Sequence, residues 1–116
     1  MTKTNEMMVH KFVLSTKKVI YLREGEIEDM ELAAKIAGNT AGDNKAYLGI
    51  VLQKELLKRL LVKVDNKILS SSDKEMLKTF LNLKEYMQAL KALQMVTGDD
   101  DKEGNLTAEF VTIGSK

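Results

Sequence analysis

The sequence predicts an α+β domain: an N-terminal β-hairpin packed on a small bundle of about four helices, with a flexible acidic C-terminal tail. Three observations carry that reading. Two short runs near the N-terminus alternate apolar and polar residues with the period of a strand. Four later segments repeat their apolar residues at helical spacing, separated by glycines and capping side chains. After Gly98 the composition changes to an acidic GDDDKEGN, followed by a strand-like LTAEFVTIGSK. The division is therefore one domain over residues 10–97, with an acidic linker and strand-like tail over 98–116. At 116 residues, 44% hydrophobic and 30% charged, the chain is long enough to bury one core and too apolar to be disordered.

Residues 1–8 read as a polar, frayed end. Residues 10–15 and 19–23 form the hairpin, with Phe12 and Leu14 on one face and Val19, Tyr21 and Arg23 sharing a face opposite Ile20 and Leu22. Thr16-Lys17-Lys18 makes the turn without the favoured Gly or Asn. Glu24-Gly25-Glu26 ends the second strand. A helix over 28–37 follows, with acids in its first turn and Gly38 as its terminating residue. Its Leu32/Ile36 pair and the small Ala33, Ala34 and Ala37 imply close packing. Residues 38–45 (GNTAGDNK) are the clearest internal loop.

The helix over 46–61 (AYLGIVLQKELLKRLL) comes next, then a turn at Asp65-Asn66 between 62–64 and 68–69, a tiny hairpin. Ser72-Asp73-Lys74-Glu75 is a capping box opening a short helix to about Phe80. Asn82 caps a last helix ending near Val96, with Leu83, Tyr86, Met87, Leu90 and Leu93 as its core stripe.

Composition removes several chemistries. With no cysteine there are no disulfides, thiolate nucleophiles or Cys-ligated zinc. His10 is the only histidine, too few for a triad or a His-rich metal site, and it reads as a strand-edge surface residue. Asp99, Asp101 and Glu103 before Gly104 mimic part of an EF-hand loop. Phe110 stands where that loop needs its bidentate Glu, so the stretch reads as a solvated linker. Glu28, Asp29 and Glu31 cluster as acid–base groups do, and a helix N-terminal turn explains them more simply. No nucleotide-binding or nucleophile-elbow pattern occurs. The expectation is a protein that is not an enzyme and uses no cofactor or metal. No apolar run reaches signal-peptide or membrane-span length, which fits a cytoplasmic protein with no membrane contact.

The informative segment is the helix over 46–61. Ile50, Leu56, Leu57, Leu60 and Leu61 make an ordinary core stripe. Tyr47, Leu48 and Val51 fall on the other side, where Glu55, Lys58 and Arg59 keep the later turns polar and Glu55 is spaced to pair with Arg59. Its first two turns therefore carry more apolar surface than one face needs. Seven methionines, among them Met30, Met76 and Met95, suit a surface that accepts loosely defined apolar partners. Tyr47, Leu48, Val51 and Met95 are thus the candidate partner-binding residues, as anchors in a helix-in-groove contact. Core packing or self-association into a homo-oligomer is the plainer account of the same residues. The alternative function is a small nucleic-acid-binding regulator. Residues 73–80 and 83–96 would mimic a helix-turn-helix, with Lys84, Gln88, Lys91 and Gln94 toward the groove and a basic strip of Lys54, Lys58, Arg59, Lys63 and Lys67. The tight turn lacks the usual glycine and the second helix has no arginine, so nucleic acid is the weaker expectation.

The order of elements has a parallel. A strand pair ending in Tyr21-Leu22-Arg23 leads through an acidic turn into DMELAAKIAG (29–38), then a leucine-rich helix, SSSDKEML (70–77) and NLKEYMQALKAL (82–93). Over residues 10–97 this resembles the small tail assembly chaperones of contractile-tailed bacteriophages, the Mu-like family. The resemblance implies a chaperone that binds the long, apolar, helical tape-measure protein in the host bacterial cytoplasm. It would keep that protein soluble until tail-tube subunits polymerise around it, and be absent from the mature virion. The family often also yields a C-terminally extended product by ribosomal frameshifting, and it carries no catalytic residues to transfer.

Overall fold

The two alternating runs pair as antiparallel strands, β1 (Glu6–Val13) and β2 (Val19–Arg23), with Phe12 opposite Ile20 and His10 opposite Leu22. The structure, a computed structural model, describes residues 6–98 and 108–114. The acidic stretch with the EF-hand-like spacing and the expected flexibility of the linker lie outside these residues. Lys17 supplies the left-handed conformation at the turn (φ 77°), and its N–H reaches the Leu14 carbonyl at 2.8 Å. The hairpin tip is then clamped onto a helix. Ser15 and Gln88 exchange two hydrogen bonds, Thr16 donates to Glu85, and Lys18 pairs with Glu85 at 3.3 Å while donating to the Phe80 carbonyl.

The chain continues as α1 (Ile27–Ala41), α2 (Lys45–Leu60), β3 (Leu61–Val64), β4 (Lys67–Ile68), α3 (Ser71–Lys74), a 3-10 turn (Leu77–Thr79), α4 (Leu83–Thr97) and β5 (Ala108–Gly114). This is an α+β fold. The tiny hairpin is real but does not stand alone: β3 joins β2, with Val64 opposite Ile20, and β5 covers the other side of β1. The sheet is antiparallel with the order β4-β3-β2-β1-β5.

Two helix boundaries move from the expected places. Gly38 does not end the first helix, which runs on to Ala41. The stop is Gly42, whose backbone (φ 60°, ψ −125°) is open to glycine and strained for other residues, and whose N–H caps the Gly38 carbonyl at 3.0 Å. The predicted eight-residue loop shrinks to residues 42–44, and Asn44 caps α2 by accepting from the Tyr47 N–H. Gly42→Ala is expected to cost about 1–2 kcal/mol, read as a lower midpoint in urea unfolding with an unchanged slope. The expected helix over 73–80 is also not one helix. Ser70, not Ser72, forms the capping box with Asp73, and α3 stops after four residues before the 3-10 turn. The helix pair of a helix-turn-helix is therefore not formed. Gln88, one of its proposed reading residues, is already engaged by Ser15.

The core lies between one face of the sheet and the helices. Phe12, Leu14, Ile20 and Leu22 meet Leu56, Leu57, Leu60 and Leu61 with Ala89, Ala92 and Leu93 of α4. A methyl on Gly25 would sit 3.3 Å from Leu60 and 3.5 Å from Thr97, so the ends of α2 and α4 converge on the loop after β2. α1 packs mainly on α2. Among the described residues no helix is long and apolar enough to cross a membrane.

Candidate functional site

Two helices dock through their small residues and leave large apolar ones outside. α1 buries Asp29, Ala33 and Ala37 while Ile36 remains exposed. Asp29 holds Arg59 at 2.9 Å, which fixes the antiparallel register of α1 on α2. Counting helical turns from that pair brings Ala37 to the level of Val51. This is why Val51, 6% exposed, is buried where an open surface was expected. Ile50, expected in the core, is 61% exposed instead. It shares a stripe with Leu57 two turns on, but the N-terminal half of α2 runs past the elements that cover the later turns.

The four expected binding residues are thus not brought together. Tyr47 is exposed at the start of α2, Leu48 is half-buried and Val51 faces α1. Met95 packs partly against the core in the last turn of α4. That end of α4 meets the end of α2, about 20 Å along the helix from Tyr47.

A different surface assembles. α4 enters the core with Glu85, Ala89, Ala92 and Leu93, and of the expected core stripe Tyr86 and Leu90 pack partly against it while Leu83 and Met87 are left outside. Leu83 is 74% and Met87 53% exposed, while Tyr86 and Leu90 are half-buried. Asn82 and Glu85 hold the first turn by reciprocal bonds of 2.8 and 2.9 Å, which fixes the direction in which Leu83 projects. Beside this stripe lies a groove of about 560 Å³, lined by Leu77, Leu81, Leu83 and Tyr86 with Lys54 of α2 across from them. Ile50, also exposed, is one turn before Lys54 on the same side of α2. Burial, then the negative charge of Glu55, pushes the Tyr86 phenol up, so it stays protonated and able to donate a hydrogen bond.

The charge around the groove is not a free basic strip. Lys58 sits between Glu55 (3.1 Å) and Glu75 (2.8 Å), and Arg59 is on Asp29, so the expected Glu55–Arg59 pair gives way to these. Lys63 lies 5.1 Å over the Tyr21 ring and Lys67 pairs with Asp73 at 3.5 Å. At the groove itself Lys54 and Lys78 remain without an ion-pair partner among the described residues. His10 bonds the Glu24 carboxylate at 2.8 Å. The apolar stripe of the last helix, expected in the core, is the part of this surface that the pattern displayed. The further signal was the spacing of Ala89 and Ala92, which lets that helix approach the core by another face.

No known protein family, curated protein or solved structure matches this chain.

Proposed function

We propose that this chain is a non-enzymatic assembly chaperone that holds an apolar helix of a partner in the groove between α2 and α4. The observation that carries the reading is a ready-formed cleft lined by Leu77, Leu81, the exposed Leu83 and Tyr86, with the exposed Met87 one turn beyond Leu83 on α4. Monomeric proteins seldom leave such side chains together without a use. A helix with anchors at i, i+3 or i+4 and i+7 suits the shape. Acidic residues flanking those anchors would meet Lys54 and Lys78. Each anchor buried contributes about 2 kcal/mol, offset in part by ordering both surfaces. The result is binding tight enough to mask and weak enough to be displaced.

The partner class follows from the resemblance in element order to the tail assembly chaperones of contractile-tailed phages. In this reading the partner is the tape-measure protein, the tail-tube protein displaces the chaperone, and the work is done in the bacterial cytoplasm. The test is co-expression with a tape-measure protein encoded beside this chain, followed by a soluble pull-down. The long protein is expected to become soluble only in the presence of this chain and to co-purify with it. A tape-measure protein that stays insoluble, or stays soluble alone, ends the reading.

A further inference from the structure

A second, polar pocket of about 340 Å³ opens on the other side of Glu75 from the apolar groove, between the end of β2, α2 and α3. Its charges are unevenly matched. Arg23 donates both terminal nitrogens to Asp29, at 2.7 and 2.9 Å, and Arg59 adds its Nε to the same carboxylate. Asp29 also accepts from the Glu26 N–H, so its oxygens are fully engaged. Lys74 lines the same pocket, half-buried, and has no ion-pair partner among the described residues. The terminal nitrogens of Arg59 likewise have no acceptor among them. Three cations, Arg23, Arg59 and Lys74, thus have one carboxylate, Asp29, between them. Lys58 bridges Glu55 and Glu75 in the same lining, so the pocket with Asp29 carries one net positive charge, and these two carboxylates keep further lone pairs for a hydroxyl donor. Burial, then the positive charge of Arg23 and Arg59, holds the Lys74 ammonium below the ordinary lysine range. A bound anion would relieve that crowding.

We infer that this pocket binds the phosphate group of a small hydroxylated phosphomonoester, with the dianion on Arg59 and Lys74 and hydroxyls donating to Glu55 and Glu75. A phosphate presents three acceptor oxygens, enough for the Lys74 ammonium and both free terminal nitrogens of Arg59 at once, whereas a carboxylate has two. The volume is at the small end of ligand pockets and suits a compact ester.

The test titrates the full chain with inorganic phosphate, glycerol 3-phosphate and acetate at pH 7.5, with ionic strength held constant by sodium chloride. Amide NMR shifts are the readout. Saturable shifts confined to the surroundings of Arg23, Arg59 and Lys74 are expected with both phosphates and not with acetate. Tighter binding of glycerol 3-phosphate identifies an ester as the ligand, and equal binding identifies free phosphate; either supports the site. Lys74→Gln breaks no ion pair, so it should melt like the parent chain and bind about ten-fold more weakly. Lys78→Gln, across Glu75, should leave binding unchanged. Shifts that do not saturate, an equal response to acetate, or undiminished binding by Lys74→Gln would overturn the inference.

Discussion

Asp29→Ala is expected to lower the stability of the folded chain by about 3–5 kcal/mol, the cost of removing one partner from a buried charge cluster. In a domain of this size that shifts the thermal midpoint downward by about 15 °C or more. Its side chain is only 5% exposed and serves Arg23, Arg59 and the Glu26 N–H together. Alanine would leave two half-buried guanidiniums without a counter-charge and an orphaned N–H at the start of α1. It would also remove the tie that registers α1 on α2 and on the end of β2. Asp29→Asn retains an acceptor for the N–H and should fall between the two. Paired urea-unfolding curves decide the matter. A change below about 1 kcal/mol, as for an exposed ion pair, would show that the cluster adds nothing.

The same cluster sets an acid limit. The hydrogen bonds from Arg23, opposed by burial and aided by the Glu26 N–H and Arg59, hold the Asp29 carboxyl well below the usual carboxylate range. Its folded pKa is thus depressed relative to the unfolded chain. The stabilisation is complete above the unfolded value of about 3.9 and is lost as pH falls from there toward the folded value. Glu85 acts in the same direction, through Thr16 first, then the Asn82 N–H and Lys18. Stability should therefore decline below about pH 4, and Asp29→Asn should flatten that decline.

How much of this was legible follows from what each feature depends on. The hairpin, the span of the last helix and its Asn82 cap depend on neighbouring residues, and the pattern displays them. The partnership of β3 with β2 does not: Val64 meets Ile20 across 44 positions of chain, which no local period reports. Gly38 shows that glycine weakens a helix without having to end it: the turn after it stays helical though mostly exposed, and the stop comes at Gly42, where the backbone turns to positive φ. Asp29 looked like one of three acids favouring a helix N-terminus. Only the convergence of Arg23 and Arg59 from two other elements makes it different from Glu28 and Glu31, which stay exposed. The exchange of Ile50 and Val51 has the same origin. A helical wheel ranks faces by apolar content, but a helix docks where close approach is sterically allowed. In both α1 and α4 that face is the one with alanines.

The groove reading makes its strongest demand on Leu83 and Met87. The double change Leu83→Glu and Met87→Glu is expected to weaken capture of a partner helix on the order of a hundred-fold or more, the loss of two central anchors. Folding should be nearly untouched. Both side chains are more than half exposed, glutamate is as good a helix former as leucine or methionine, and an acid at position 83 complements the N-terminal end of α4. Val51→Glu provides the contrast. Its charge would enter the seam between α1 and α2 with no partner, and the chain should lose about 3 kcal/mol or more of stability. Reduced capture by that variant would therefore report unfolding and not contact. Tyr47→Glu, at the tip of the helical hairpin, should bind as the parent chain does. Pull-downs scored beside thermal melts separate the cases. If the double variant still captures the partner while Tyr47→Glu fails with a normal melt, the contact surface is the hairpin tip and not the groove.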